Sequence, residues 1–264
     1  MADNEDIAGY DEFELDLNKA VLEKLPPIFE SVEAAALTLK NVAALPAKTQ
    51  GAYMLLYSKE PVYIGKTDAT HGFQSRLKRH YHTLQHRRGL DATRVAFKAV
   101  RIMVFTMVNV ESALIEHYLK DRSLVWQTTG FGSNDPGHER EGQRPAEFDV
   151  KYPVNIDRPL NFVESGKQTV LELFMCLKNE LPYTFRYQTD VLKDGKRAAP
   201  EIGHADLRKA KVVLNRPTVS LREAITKVVA VLPAGWKATV FPGRVIVYKE
   251  DARWPHLLET IPPL

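Results

Sequence analysis

Two short runs of tyrosine and branched aliphatic residues, Ala52–Tyr57 and Val62–Gly65, flank the turn-forming Ser58–Pro61 and constrain the chain more than any other stretch. Such residues suit a pleated surface, and their spacing predicts a β-hairpin. The second run ends at Gly65-Lys66 and Thr67-Asp68, where a strand gives way to a loop. On this hairpin Tyr53 and Tyr63 occupy paired strands, close enough for both phenols to reach one site. Taken alone, they also read as half-buried strand tyrosines.

The flanking sequence predicts an α+β fold. Residues 1–12 read as a mobile acidic tail. From Phe13 to Leu45 apolar residues recur at helical spacing, and Pro26-Pro27 divide them into a short helix and a longer one that cover the hairpin. Residues 73–88 read as a helix with the stripe Phe73, Leu77, Tyr81 and Leu84. Arg76 and His80, four apart, share a face beside that stripe, which a solvated helix face also explains. Val95–Val108 predicts a third strand. Glu111 then opens a helix buried through Ala113, Leu114, Ile115 and Tyr118, in a first turn where any carboxylate complements the helix dipole. In 126–153, Gly130, Gly132, Pro136 and Gly137 specify a tightly turned loop that carries His138, Arg140 and Arg144. Long glycine-structured loops on a rigid scaffold are more often functional than idle.

Charge is unevenly distributed along the 264 residues. The first fifty carry ten acidic and four basic side chains, a net of −6, so residues 51–264 must carry +9 to give the overall +3. Between 66 and 101, nine basic residues face only Asp68 and Asp91. That excess suits a nucleic-acid surface and also an ordinary solvated helix. No apolar run approaches membrane-spanning length, and the N-terminus lacks the order of a secretory signal, so a cytoplasmic setting is expected. The lone Cys176 excludes an intrachain disulfide and a thiolate metal site, and reads as a small core residue.

After the Pro153–Gly166 connection, 165–264 forms a separable α+β unit. The elements expected are a helix Thr169–Leu181, a strand Tyr183–Tyr187, a turn Asp194–Arg197 and a strand Lys211–Leu214. A helix Ser220–Leu232 and a hairpin of Trp236–Val240 with Arg244–Tyr248 around Pro242-Gly243 follow. In architecture alone this order resembles the short N-terminal domain of secretins and TonB-dependent receptors. Arg186, Lys193, Lys196, Arg197, Arg208, Lys209 and Lys211 make the unit basic enough to touch phosphates; a dimerisation or stabilising module fits as well.

Taken in order, these features resemble a known family. Residues 51–66 are similar to the GIY-YIG nuclease signature, with Gly51-Ala52-Tyr53 as the first triplet and Tyr63-Ile64-Gly65 as the second. The run Gly130-Phe-Gly-Ser-Asn-Asp-Pro-Gly137, followed by arginines, Phe148-Asp149 and Tyr152-Pro153, resembles the branch of type II restriction endonucleases that cut GC-only palindromes. The resemblance implies a nuclease domain over 47–164, a small mixed three-stranded sheet flanked by helices. A helical cover lies over 1–46 and an accessory α+β domain over 165–264. It implies that Tyr53, Tyr63, Arg76, His80 and Glu111 line the active site, with Glu111 the sole protein ligand of one Mg²⁺, which keeps waters and takes phosphate oxygens as its other ligands. Lys66 or His80 would lower the pKa of Tyr53 so that it takes a proton from the attacking water.

Gln127 stands where the family commonly has asparagine, and Asn134 is a substitute for that contact. Base recognition falls to His138, Arg140 and Arg144, and phosphate grip to Lys78, Arg79, Arg87 and Arg88. The implied partners are double-stranded DNA, a second copy of the chain for cutting both strands, and a cognate DNA methyltransferase as a genetic partner. Two other readings remain open: a non-cleaving DNA-binding protein on the same fold, and an endonuclease for branched or damaged DNA.

Overall fold

A computed structural model of the chain describes residues 17–68, 70–103, 110–121, 124–132, 137 and 141–262. The acidic tail over 1–12, the end of the expected third strand, and Asn134, His138 and Arg140 lie outside them. The chain is α+β and divides into two compact units, 1–76 with 94–124 and 77–93 with 125–264. The division runs through a helix, whereas the sequence suggests a boundary at 164/165.

The first unit opens with α1 (Leu17–Ser31), which continues through Pro26 and Pro27 instead of breaking there. Each proline removes one backbone donor but keeps a helical φ, and Leu25 and Phe29 are buried on either side of the pair. The longer second helix is replaced by β1 (Ala35–Ala36) and α2 (Leu39–Ala43). The Thr38 hydroxyl accepts from the Asn41 amide at 3.1 Å and starts that helix afresh. β2 (Gly51–Tyr57) and β3 (Glu60–Thr67) form the expected hairpin. Its two-residue loop sets both Ser58 and Lys59 at positive φ, 55° and 75°, the geometry that matches the twist of paired strands.

Next come α3 (Gly72–Gln85), β4 (Val95–Arg101) and α4 (Val110–Asp121). The sheet order is β1-β4-β2-β3, and every pairing is antiparallel. The expected mixed three-stranded sheet is therefore corrected to an antiparallel one of four strands, with β3 at an edge. One face, carrying Ala52, Met54, Leu56 and Ile64, packs against Leu25 and Phe29 of α1 and Val110 and Leu114 of α4.

The second unit contains the rest of α3, α5 (Val125–Thr128), α6 (Glu147–Lys151), β5 (Pro159–Leu160), β6 (Gly166–Thr169) and α7 (Val170–Glu180). β7 (Thr184–Tyr187), α8 (Ala205–Lys209), β8 (Lys211–Leu214), β9 (Val219–Ser220) and α9 (Leu221–Val231) follow. β10 (Trp236–Val240), β11 (Arg244–Lys249) and β12 (Glu259–Ile261) close the chain. Capping boxes open both long helices, Thr169 with Glu172 and Ser220 with Glu223, which satisfies two otherwise orphaned amide donors at each start.

The main sheet runs β12-β10-β11-β7, with β7 parallel to β11 and the other pairs antiparallel. Strand alternation sends Phe185, Tyr187, Ala238, Val240, Val245 and Val247 into the core with α7 and α9. The opposite face carries Arg186, Arg244, Ile246 and Tyr248.

Candidate active site

The two signature glycines have steric reasons to be glycine. A Cβ on Gly51 would overlap the Val100 carbonyl and lie 2.6 Å from Cζ of Phe73 and 3.1 Å from Cα of Arg101. A Cβ on Gly65 would overlap the Tyr53 hydroxyl and come within 2.5 Å of its Cζ and 2.9 Å of its Cε1. Tyr53 is the cross-strand partner of Gly65, so its ring lies flat across the glycine and is only 2% exposed. Tyr63, opposite Leu55 on the same face, is half-buried, and its ring centroid is 6.3 Å from that of Tyr53.

The neighbouring position faces the other way. Lys66 pairs with Ala52, and Ala52 belongs to the face covered by α1 and α4. Its ammonium is 3.6 Å from the Glu111 carboxylate in the first turn of α4, with the two side chains 50% and 25% exposed. The Gly51 contact with Phe73 brings the start of α3 over the tyrosine face, and half-buried Arg76 lies three residues further along that helix. The tyrosines and the Lys66–Glu111 pair thus flank the edge strand β3 from opposite faces, near the end where Gly65 and Lys66 sit. Glu111 offers one partly exposed carboxylate, and among the described residues no group of three His, Cys, Asp or Glu could hold a metal ion.

The remaining predicted residues belong to the second unit. His80 is 3% exposed, its ring 5.1 Å from that of Phe131. Phe131 is 5.2 Å from Trp126 and 4.8 Å from Phe148, and Phe148 is 5.3 Å from Tyr152. The 126–152 segment therefore closes on an aromatic cluster, helped by the Phe148 amide donating to the Thr129 carbonyl at 2.9 Å. Gly130 turns at φ +85° with the Ala146 methyl tight against it, a conformation costly for any other residue. Gln127 lies half-buried on α5, next to Trp126.

Lys78, Arg79 and Arg144 are exposed. Arg87, expected to grip phosphate, is instead held inside the unit. Its guanidinium donates to Asp149 at 2.7 Å and to the Tyr152 carbonyl at 3.1 Å, and lies over the Phe148 ring at 5.3 Å. Only 8% of its side chain is exposed, and burial draws its pKa down despite the Asp149 charge. Arg88 is ion-paired with Asp157 at 2.5 Å, with 40% of its side chain exposed. A cleft of about 480 Å³ lies along α3, lined by Arg79, His80, Thr83, Gly130, Gly132, Lys178 and Tyr183 among others. Asp149 also lines it, but Arg87 neutralises that carboxylate, so Arg79 and Lys178 set its charge. Sequence reasoning missed Lys178 because nothing local relates α7 to α3.

The same unit contains a polar centre that the sequence did not suggest. Glu141 is 1% exposed; its Oε1 accepts from Arg186 at 3.2 Å and from the Tyr248 hydroxyl at 3.0 Å. Its backbone carbonyl accepts from Arg244 at 3.1 Å, and Arg186 also donates to the Gly137 carbonyl. Arg186 reads from sequence as a surface cation and is only 8% exposed. The missing signal was tertiary: the parallel pairing of β7 with β11 sets Arg186 beside Ile246, on the face shared by Arg244 and Tyr248. Among the described residues no helix is long and apolar enough to cross a membrane. No protein-family model matches the chain and no curated protein matches it, so a functional reading rests on its own residues and geometry.

Proposed function

We propose that the chain is an Mg²⁺-dependent, sequence-specific DNA endonuclease of the GIY-YIG type, in its type II restriction branch, hydrolysing phosphodiester bonds of double-stranded DNA. The observation that carries this reading is the arrangement at the end of the hairpin. The Tyr53 ring rests on Gly65 with Tyr63 at 6.3 Å, and the next residue, Lys66, holds Glu111 at 3.6 Å. A phenol pair, an ammonium and a carboxylate therefore meet around one strand edge, with Arg76 on the helix above the tyrosine face.

Each residue then has a role. Glu111 would hold the metal: a single carboxylate with solvent access fits Mg²⁺, which keeps most of its waters and takes phosphate oxygens as further ligands. When bound, that ion supplies charge neutralisation at the phosphate and its leaving oxygen. Lys66 balances the Glu111 charge in the free protein. Arg76 is a permanently charged donor fork suited to a phosphate oxygen. Tyr53 is assigned as the base; a phenol titrates near pH 10, so this role needs a cation brought close to it when DNA and metal bind.

His80 is a buried support of the aromatic cluster, and Gln127 takes the amide role beside Trp126. Exposed Lys78, Arg79 and Arg144 are assigned to DNA contact, as are Asn134, His138 and Arg140 from the sequence pattern alone; Arg88 contributes by its exposed part. One such site cuts one strand, so a palindrome is cut by a two-fold dimer. A cytoplasmic setting and a cognate methyltransferase follow from the same reading. The test is plasmid digestion with and without Mg²⁺, with the cut ends sequenced. Discrete fragments sharing one motif are expected. A smear or nicked circles alone overturn restriction specificity. DNA binding without cleavage, unchanged by Glu111→Ala, favours the non-cleaving reading, and cutting confined to branched or damaged substrates favours a repair enzyme.

A further inference from the structure

The buried Glu141 carboxylate sits at the end of the glycine loop, three residues before exposed Arg144. A loop carboxylate in water needs no partner, whereas a buried one must be paired and hydrogen-bonded. Here the partners come from the C-terminal sheet: Arg186 of β7, with Arg244 and Tyr248 of β11. One guanidinium, Arg186, binds both Gly137 and Glu141, so the chain entering and the chain leaving 138–140 are tied to the same side chain. Arg244 fixes the Glu141 carbonyl, and Tyr248 shares the carboxylate oxygen that Arg186 holds. A buried ion pair adds little net stability over apolar side chains of similar size, but it selects one geometry.

We infer that Arg186, Glu141 and Tyr248 are positioning residues for DNA sequence selectivity: the C-terminal sheet sets the backbone from which Arg144 reads base edges. This rests on the nuclease reading above and gives residues 165–264 a task that their sequence leaves open. An arginine reads guanine through two parallel hydrogen bonds whose geometry tolerates little displacement. A loop released from Arg186 and Tyr248 therefore keeps its charge for phosphate and loses its discrimination between bases.

The test uses the intact chain and the double variant Arg186→Met/Glu141→Leu, which removes both charges of the pair and leaves half-buried Arg244 with the Asp149 charge, alongside the milder Tyr248→Phe. Hydrogen–deuterium exchange is followed over 141–146, and plasmid cut sites are sequenced. In the double variant, exchange over 141–146 should rise about tenfold or more with the rest of the second unit unchanged. The cut motif should relax at the positions Arg144 reads, by roughly tenfold per base pair, while total Mg²⁺-dependent nicking continues. Tyr248→Phe should shift both readouts in the same direction by less. Unchanged exchange in the folded double variant overturns the anchoring, and faster exchange with an unchanged cut motif overturns the selectivity role. If the wild-type chain cuts no DNA, the nuclease reading falls and the selectivity role with it, while the exchange measurement still decides the anchoring.

Discussion

Replacing Gly65 by alanine tests the geometry on which the candidate site depends. Gly65 is not among the residues with positive φ, so its backbone suits any L-residue. In a strand, alanine would by itself be favoured over glycine by about 0.5–1 kcal/mol. The opposing term is steric: the new methyl meets the Tyr53 hydroxyl, Cζ and Cε1, the last at 2.9 Å. Overpacking of this kind costs about 1–3 kcal/mol, and the Tyr53 ring, 2% exposed, has little space into which to move. A net loss of about 1–2 kcal/mol is expected.

The decisive control is Tyr53→Leu, because leucine lacks all three of the ring atoms that collide. In that background Gly65→Ala should be neutral or mildly stabilising, giving a coupling energy of roughly 2 kcal/mol, whereas sites out of contact add to within about 0.5 kcal/mol. Urea unfolding followed by far-UV circular dichroism, compared at constant m, reads each corner of the cycle. If Gly65→Ala costs the same in both backgrounds, the ring does not lie on the glycine and the site geometry is wrong.

Glu111→Gln should reduce Mg²⁺-dependent plasmid cleavage by about a thousandfold, since the charge stabilisation a bound ion supplies is worth several kcal/mol. The same change should lower stability by less than about 1 kcal/mol, because its pair with Lys66 is half in water; gel shift and thermal melts separate the two effects. Arg87→Met should destabilise by about 3–5 kcal/mol by leaving Asp149 unpaired, and adding Asp149→Leu should restore most of that in urea unfolding. An Arg87→Met chain that melts normally and only binds DNA less tightly would return Arg87 to the phosphate-gripping role.

The Arg222 guanidinium holds both Asp157 and Glu259 below the usual carboxylate range. Depressed folded-state pKa values give stability that is complete above the unfolded values near pH 4 and is lost as pH falls through the folded ones. Arg222→Met should therefore narrow the difference in melting temperature between pH 6 and pH 3.

The hairpin was legible because its signal is local: alternating aromatic and branched residues, and two glycines that a neighbouring strand or ring must approach closely. Lys211–Leu214, β10 and β11 were legible for the same reason, and the helices after Thr169 and Ser220 carry their capping residues in plain view. Pro26-Pro27 misled because proline's cost is local while the burial of Leu25 and Phe29 is tertiary. Arg87 and Arg186 misled in the same way: each is a cation among cations in sequence, and only the fold brings Asp149 or Glu141 to it. The candidate site divides along this line. Tyr53, Tyr63 and Lys66 follow from strand alternation, whereas the Glu111 contact needed α4 packed on the sheet.

The edge position of β3 ties these points together. With the sheet order ending at β3, the tyrosines project on one face and Lys66 with Glu111 on the other, so a ligand that meets both must straddle the edge itself. An edge strand is exposed to pairing with another chain and is usually protected by proline and lysine. β3 has both: Pro61 near its start lacks a donor, and half-exposed Lys66 near its end places a charge there. Among the described residues no strand pairs with the outer edge of β3, and devices that disfavour an added strand do not disfavour a ligand that is not a strand. A charged sugar–phosphate backbone is such a ligand, and Lys66, by also holding Glu111, serves the fold and the proposed chemistry with one side chain.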